Sequence, residues 1–423
     1  MDLKVILRDF RVVKGKEQLE KAFVNYYSNL EKCFKNIDLK GLKERIKKIR
    51  ENSLKNLDVL KKKAMENLSS QGINVYEAET SEEACEIVLR LIPKGVKVVK
   101  AKSNVINEIG LVEKFEGRNE VVETDCGDFL VNLCGEMASH PVTPAIHITL
   151  NEIVKRIREN FKVDVEEDPK AVVEWVKRYL KQKILEAEVG LTGANVISAD
   201  GGIFILENEG NISLVSRLPE KHVIITGIDK IVESLEDALL ICKVLSIWGT
   251  GSTLPTYINI ISSPSKTADV EKEIVYGAHG PKEIHLILLD NGRSKIIEEG
   301  FTELLQCINC GSCLYFCPVY RQILYNYGLN YFGARGVGVV AFQQNLEKAV
   351  ERGLYYCTTC RSCKENCPLE LDLPELVRKL RNKAVEKGLE TLTNKKMIEN
   401  VITYGNPFGE IVEGKIPKEL FCC

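Results

Sequence analysis

Residues Cys307 to Pro318 read C-I-N-C-G-S-C-L-Y-F-C-P, and residues Cys357 to Pro368 read C-T-T-C-R-S-C-K-E-N-C-P. Both runs have the spacing C-x2-C-x2-C-x3-C-P, and the second starts fifty residues after the first. Together they hold eight of the fifteen cysteines in the chain. Four thiolates within eleven residues can close around a compact metal centre with little loop entropy opposing them. Three cysteines at i, i+3 and i+6 wrap one face of a cubane. The fourth, followed by proline, leaves the loop.

In two-cluster ferredoxins that fourth cysteine ligates the other cluster, so the predicted assignment is crossed. One four-iron, four-sulfide cluster takes Cys307, Cys310, Cys313 and Cys367, and the second takes Cys357, Cys360, Cys363 and Cys317. Pro318 and Pro368 fix φ where the chain turns away. Small residues between the ligands (Asn309, Gly311, Ser312, Thr358, Thr359, Ser362) let backbone N–H groups approach the sulfurs, which helps set the reduction potential. Structural zinc usually pairs two short C-x2-C hooks across a longer loop, and a zinc scaffold is the competing non-enzyme reading. A disulfide framework suits neither the chain length nor an N-terminus (M-D-L-K-V-I-L-R-D-F-R) without an apolar signal core.

The chain has 423 residues, 44% of them hydrophobic, which predicts two to three domains and a sizeable core. The net charge of −2 argues against a nucleic-acid binder driven by phosphate neutralisation. No apolar run approaches the roughly 20 residues that span a bilayer, so the expectation is a cytoplasmic chain. Cys33, Cys85, Cys126, Cys134 and Cys242 sit in apolar-periodic segments and read as buried small hydrophobes.

Residues 1–71 read as an N-terminal helical arm, with Leu19, Phe23, Leu30 and Phe34, then Leu42, Ile46 and Ile49, at near-helical spacing. Residues 72–295 alternate between strand and helix, which predicts a mainly parallel sheet covered by helices. Strands are expected at Ile73–Ala78, Val96–Ala101, Val121–Thr124, Val196–Ala199, Ile203–Glu207, Ile212–Ser216, Val223–Thr226, 257–261 and 283–289. Helices are expected at 81–91, Val105–Phe115, 149–161, 168–188 and 234–246. A hairpin is expected around Glu209-Gly210-Asn211. Residues 296–389 read as an all-helical ferredoxin module, with helices at Gln343–Arg352 and after the N-cap Asp372. Residues 390–423 are a tail. Gly249-Thr-Gly251-Ser reads as a loop, because it follows a helix and no Lys-Ser/Thr closes it.

The chain resembles the iron–sulfur B component of the three-component L-lactate utilisation system. Lys100-Ala-Lys102-Ser103, Glu108-Ile-Gly110-Leu111 and Val122-Glu-Thr-Asp125-Cys-Gly127-Asp128 carry the resemblance. So do Gly135-Glu136-Met-Ala-Ser-His140-Pro-Val-Thr-Pro144-Ala-Ile-His147, Leu191-Thr-Gly193-Ala-Asn195 and Glu207-Asn208-Glu209-Gly210-Asn211. Leu288-Leu-Asp290-Asn291-Gly292-Arg293-Ser294 then joins the double cysteine run. The resemblance implies an α/β domain similar to sugar-phosphate isomerases and CoA-transferases. It also implies electron transfer in the oxidation of L-lactate to pyruvate. Two partners are implied: a cysteine-rich subunit related to heterodisulfide reductase, and a second lactate-utilisation-domain subunit. An adaptor of another heterodisulfide-reductase-like oxidoreductase, acting on a different hydroxy acid or a thiol carrier, is the alternative.

The sequence departs from the family at Asp200-Gly201-Gly202, where a threonine usually stands in the middle. It also ends at Cys422-Cys423, where related oxidoreductases begin a cysteine-rich module. That pair reads either as spare thiols or as a docking point for such a module on a separate chain. Within the family blocks, Lys102, Asp125, Glu136 and His140 are the candidate catalytic residues, with Thr192, Asn208 and Glu209 nearby. Lys102 and Asp125 fall at the carboxyl ends of strands, where open α/β sheets bind ligands. Lys102 would hold a substrate carboxylate and His140 would act as a base. No dinucleotide fingerprint is present, although two-electron oxidation of a hydroxy acid usually involves a hydride or carbanion acceptor.

Overall fold

The computed structural model describes residues 16–35 and 37–414. The N-terminal reading of Met1–Arg11 and the Cys422–Cys423 pair lie outside them.

Within the described residues, six strands form one parallel sheet. Its spatial order is Asn74–Ala78, Glu283–Leu289, Lys221–Gly227, Val189–Thr192, Lys97–Lys100 and Glu120–Glu123. Apolar residues on both sides of each central strand demand cover on both faces. Val98, Leu191, Ile225 and Ile287 pack under the helix Ser81–Leu91, while Val99, Ile224 and Leu286 pack under the helix Leu57–Ser70. A second sheet of four strands runs Ile231–Val232, Val196–Ser198, Gly202–Glu207 and Tyr257–Ile261. The long apolar helix Leu235–Thr250 lies against it, capped by Ser234.

The N-terminal segment forms three helices, Lys16–Phe34, Leu39–Lys55 and Leu57–Ser70. The first two share a core with the cysteine-rich region: Leu19, Phe23, Ile46 and Leu54 join Leu304, Leu314, Tyr320 and Leu380. The third belongs to the sheet. The segment is therefore a strut between the two halves. Arg50, 1% exposed, donates to the carbonyls of Leu305 (2.6 Å), Gln306 (3.1 Å) and Asp229 (2.6 Å). The Tyr26 hydroxyl donates to the Trp248 carbonyl (2.7 Å), lies 2.7 Å from Ser312 Oγ, and its ring stacks on Tyr315 at 3.8 Å.

The cysteine-rich region is helical. Asp372 caps the helix Leu373–Glu386, and Pro374 sits in its first turn as expected. Its other helices differ from expectation. A helix occupies Gly333–Gln343, and Asn345 starts a separate one at Leu346–Glu351 by accepting from Lys348 N (2.7 Å). Glycines hid the first of these. A Cβ at Gly338 would come within 2.7 Å of Leu304 Cδ2, so the helix needs glycine to pack there. A further helix, Leu392–Tyr404, occupies what was expected to be plain tail.

Several expectations in the α/β unit are corrected. Ile212–Ser216 is not a strand and no hairpin forms at Glu209-Gly210-Asn211. Instead Asn211–Val215 is a helix entered from left-handed Gly210 (φ 88°). The Glu207 carboxylate accepts from Ser213 N (3.0 Å), and an anion at a helix start overrides β propensity. The expected helix Val105–Phe115 breaks at left-handed Gly110 into Asn104–Glu108 and Leu111–Lys114. The strand Val189–Thr192 and the helix Cys126–Cys134 had no counterpart in the sequence reading. At Gly201 (φ 99°) a Cβ would come within 2.6 Å of Gln71 Nε2, so the unusual glycine suits a backbone that disfavours threonine.

Replacing Arg50 with Leu leaves three buried carbonyls without their donor, at about 1–3 kcal/mol for each unsatisfied group. A marked fall in the urea midpoint is expected, and an unchanged midpoint would show that the strut contributes nothing. His222, on the central strand, is fully buried, and burial draws its pKa down to about 3. The unfolded imidazole takes its proton near pH 6.5 and the folded one does not. Stability is therefore full above pH 6.5 and falls, by roughly 1.4 kcal/mol per pH unit, as pH drops from 6.5 toward 3. His222→Gln is expected to flatten that slope in a pH series of denaturation curves.

Candidate active site and cysteine sets

The carboxyl ends of the sheet strands and the first cysteine loop enclose a cavity of about 270 Å³. Lys102 and Asp125 line it, placed just beyond the strands Lys97–Lys100 and Glu120–Glu123. Asp125 caps the helix Cys126–Cys134 by accepting from Asp128 N (3.0 Å), and it lies 3.5 Å from Lys102 Nζ. Lys102 also donates to the Val142 carbonyl (2.8 Å). Asn208 and Glu209 line the cavity too, and Glu209 accepts from Cys126 N (3.0 Å). Burial and the neighbouring Asp125 carboxylate raise the pKa of Glu209. The opposite wall is Ile308, Asn309 and Cys310.

Gly249 lies beside this wall, and a Cβ there would be 3.4 Å from the Cys310 carbonyl, an ordinary van der Waals contact. Gly249 and Thr250 end the helix Leu235–Thr250, and left-handed Gly251 (φ 71°) caps it, so this segment is a helix end facing the cavity and not a loop.

Glu136, His140 and Thr192 are not among the lining residues. Glu136 follows the C-cap Gly135. The Thr192 hydroxyl meets His222 Nε2 at 2.8 Å. His140 is fully buried, its Nδ1 accepts from Val142 N (3.1 Å), and its ring sits 4.5 Å from that of Tyr315. Burial draws its pKa down to about 3. The imidazole thus packs between the Pro-rich loop and Gly311, where a Cβ would come within 2.9 Å of its Cε1. It orders the loop and does not stand where a base on a cavity ligand would stand.

Sequence reasoning missed Lys230, Asn195 and Ser246, which all line the cavity. Lys230 follows the strand Lys221–Gly227, so the strand-end rule that picked out Lys102 also reaches it. It donates to Asp229 (2.7 Å) and to the Cys307 carbonyl (3.4 Å). Burial pulls Lys230 below the usual lysine range, opposed by the Asp229 carboxylate. Burial would raise Asp229, but Lys230 and Arg293 hold it well below the carboxylate range.

The two cysteine runs share one backbone path. Asn309 and Thr359 are both left-handed (φ 61° and 56°), as are Gly311 and Arg361 (φ 77° and 68°). Each run continues into a one-turn helix, Ser312–Tyr315 or Ser362–Glu365, and these two helices pack together. Backbone N–H groups reach the sulfurs: Asn309 N donates to Cys307, Tyr320 N to Cys317 and Leu369 N to Cys367, each at 3.4 Å.

The thiols of the two runs lie close enough to affect one another. Burial, then Cys367 and Cys307, push Cys310 up, and burial followed by its neighbours Cys307 and Cys310 does the same to Cys313. Burial, then Cys357, Cys317 and Cys360, push Cys363 up to about 12. Cys363 of the second run also raises Cys313, so the two runs lie within electrostatic reach of each other. Cys313, Cys317, Cys357, Cys360 and Cys363 also line a cavity of about 20 Å³ with Tyr327 and Pro374. Buried thiols that oppose one another's ionisation bind as thiolates where a cationic iron centre offsets the repulsion. The donor set and its N–H···S contacts fit iron–sulfur clusters. Among the described residues no three His, Cys, Asp or Glu side chains converge as around a single metal ion, so the grouping rests on backbone path and mutual electrostatics.

Cys33, Cys85, Cys134 and Cys242 are buried, as expected, while Cys126 is half-buried at a helix start. Among the described residues no helix is long and apolar enough to cross a membrane.

A parallel α/β unit joined to a doubled cysteine motif defines an iron–sulfur protein with a ligand-sized cavity at the junction. The comparisons agree. Residues 61–289 match the LUD domain and residues 303–371 the 4Fe-4S dicluster domain. The chain is 36% identical over 345 residues to Lactate utilization protein B of Bacillus subtilis, covering 80% of this chain and 70% of that one. It is 30% identical over 369 residues to the uncharacterized electron transport protein YkgF of Escherichia coli, covering 86% and 76%. A solved DUF162-family structure from Deinococcus radiodurans covers 57% of this chain and 98% of its own at 12% identity, with a TM-score of 0.26, too low to bear on the fold. The chain belongs to the Lactate utilization protein B family.

Proposed function

We propose that this chain is the iron–sulfur electron-transfer subunit of a complex that oxidises L-lactate to pyruvate. It would work with a cysteine-rich, heterodisulfide-reductase-like subunit and a second lactate-utilisation-domain subunit. The α/β unit is, on this reading, of the type shared with sugar-phosphate isomerases and CoA-transferases. The observation that carries the proposal is the junction: the cavity at the strand ends has Cys310 in its wall.

Cys307, Cys310, Cys313 and Cys367 would hold one four-iron cluster, and Cys357, Cys360, Cys363 and Cys317 the other. Two bound clusters would supply one-electron carriers, together able to store the two electrons that a hydroxy acid releases. The chain's own residues set the arrangement. Cys310 is buried at the cavity, whereas Cys360 is exposed at the surface. On this reading the first set would face the cavity through Cys310 and the second would face solvent through Cys360, where a partner subunit would have access. Tyr26 and Arg50 hold the first cysteine loop against the α/β unit. Lys102 and Lys230 line the cavity, each paired with an aspartate, and Lys230 reaches the Cys307 carbonyl.

The crossed ligand sets have a direct test. In the Cys307→Ser/Cys367→Ser double variant, EPR of the reduced protein is expected to lose one cluster signal and keep the other. In Cys307→Ser/Cys317→Ser both signals should change. The reverse pattern would mean that each run closes on its own cluster. The functional reading is tested by visible absorbance of the anaerobically purified complex. Bleaching by L-lactate at a rate matching turnover is expected. Clusters that stay oxidised with lactate and bleach only with dithionite would refute the assignment.

A further inference from the structure

Four cations, Arg50, Lys230, Arg293 and Arg335, are buried where the α/β unit meets the first cysteine run. Two buried carboxylates face them. Glu108 pairs with Arg293 (2.9 Å), and Asp229 pairs with Arg293 (2.7 Å) and Lys230 (2.7 Å). Matched one for one, Arg293 and Lys230 are balanced, and Arg50 and Arg335 are left over. Arg50 gives its N–H groups to three backbone carbonyls. Arg335 Nε meets the Leu304 carbonyl at 3.5 Å, and its guanidinium lies 4.3 Å from the centre of the Tyr331 ring. Its Nη1 is buried with no hydrogen-bond partner among the described residues. On the elements packed around them, Glu303 accepts from Asp372 N (3.0 Å) and Glu299 pairs with Lys383, so these carboxylates are committed elsewhere. A buried charge without a counter-charge is strongly unfavourable, and a guanidinium does not escape by losing its proton. An anion is called for at this junction.

The segment that leads into the first cysteine run passes through this group. Arg335 reaches the carbonyl of Leu304, Arg50 those of Leu305 and Gln306, and Lys230 that of Cys307 (3.4 Å). Arg335 acts electrostatically on both Arg50 and Lys230, and Cys307 acts on Arg50. A four-iron cluster on four thiolates is a net anion, and reduction adds one more negative charge to it. Net charge is among the factors that set such a potential. The second set has different neighbours. Cys360 is exposed. Arg361 is exposed and Lys364 half-buried, and both pair with Asp372 (3.4 and 2.7 Å). Arg381, which donates to the Cys357 carbonyl (2.6 Å), is also half-buried. Solvent and salt screen such charges far more than buried ones.

We propose that Arg50 and Arg335, with Lys230 beside them, are the counter-charge of the cluster that Cys307 ligates, and that they raise its reduction potential while leaving the second cluster unaffected. This rests on the cluster reading above and deepens it, because it assigns the residues that favour holding an electron at the junction. They are positioning residues for charge. The electron comes, on the functional reading, from the hydroxy acid, and no bond to Arg50 or Arg335 forms or breaks. Removal of a positive charge here disfavours the more negative, reduced cluster and lowers its midpoint. Removal of a carboxylate from the same network does the reverse.

The experiment is a redox titration with dithionite, followed by EPR, of the anaerobically purified, iron-loaded chain and three variants. Arg335→Met is expected to lower the midpoint of one cluster signal by ~59 mV, a ~10-fold change in a one-electron equilibrium. The other signal is expected to stay at its wild-type midpoint. The signal that moves is expected to be the one altered in Cys307→Ser. Arg335→Lys keeps the charge and is expected to keep the wild-type midpoint. Glu108→Gln keeps the shape, removes a negative charge and is expected to raise the midpoint of the same signal, so it answers the question even if Arg335→Met fails to fold. The proposal is overturned if neither Arg335→Met nor Glu108→Gln moves a midpoint, or if both signals move together. It is also overturned if Arg335→Lys lowers the midpoint as much as Arg335→Met, which would mark a packing effect. A wild-type chain that shows no four-iron signal after anaerobic iron loading would overturn the cluster reading itself.

Discussion

One buried carboxylate ties the molecule together. Asp229 lies just past the end of the strand Lys221–Gly227 and is 1% exposed. Its Oδ1 accepts from Arg293 Nε (2.7 Å), its Oδ2 from Lys230 (2.7 Å), and its carbonyl from Arg50 (2.6 Å). Arg293 also binds Glu108 (2.9 Å), which Tyr331 meets at 2.7 Å. A helical strut, the α/β unit, the helix after its last strand and the cysteine-rich region thus converge on one charge network. Buried ions are tolerated only when each is paired and hydrogen-bonded. Loss of one member leaves another charge unpaired, so the network fixes how the two halves meet.

The cavity is a consequence of that meeting. The α/β unit supplies the polar floor from its strand ends, and the cysteine loop supplies a wall. A small residue lets the cysteine loop come close to its neighbour: Gly311 against His140. His140 has the residue type of a general base and the environment of a packing group. Lys102, whose ammonium meets the Val142 carbonyl and Asp125, lines the cavity.

Much of this could be read from the chain. The doubled cysteine spacing gave eight ligand candidates, and the α/β alternation gave a parallel sheet, because periodicity and spacing are local. Misreadings arose where a distant group decided the local structure. Ile212 to Ser216 has β-branched character, but the Glu207 carboxylate across a left-handed turn makes it helical. The glycines of Gly333–Gln343 argue against helix until Leu304 is seen to need the space. Lys102 and Asp125 were legible because they follow recognisable strands. Lys230 follows one too, but nothing local distinguishes it from a surface lysine.

The amino-acid sequence by itself determined the metal chemistry and the family, since thiolate spacing within a short loop dictates what the loop can enclose. It also determined the parallel sheet, through runs apolar on both faces. Only the tertiary structure decided that one cysteine run lies against the strand ends and which polar side chains share a cavity. Those relations join residues as far apart in the chain as Lys102 and Cys310. Burial, charge pairing and close glycine contacts settle them, and none of these has a period or a spacing that a chain read in order can display.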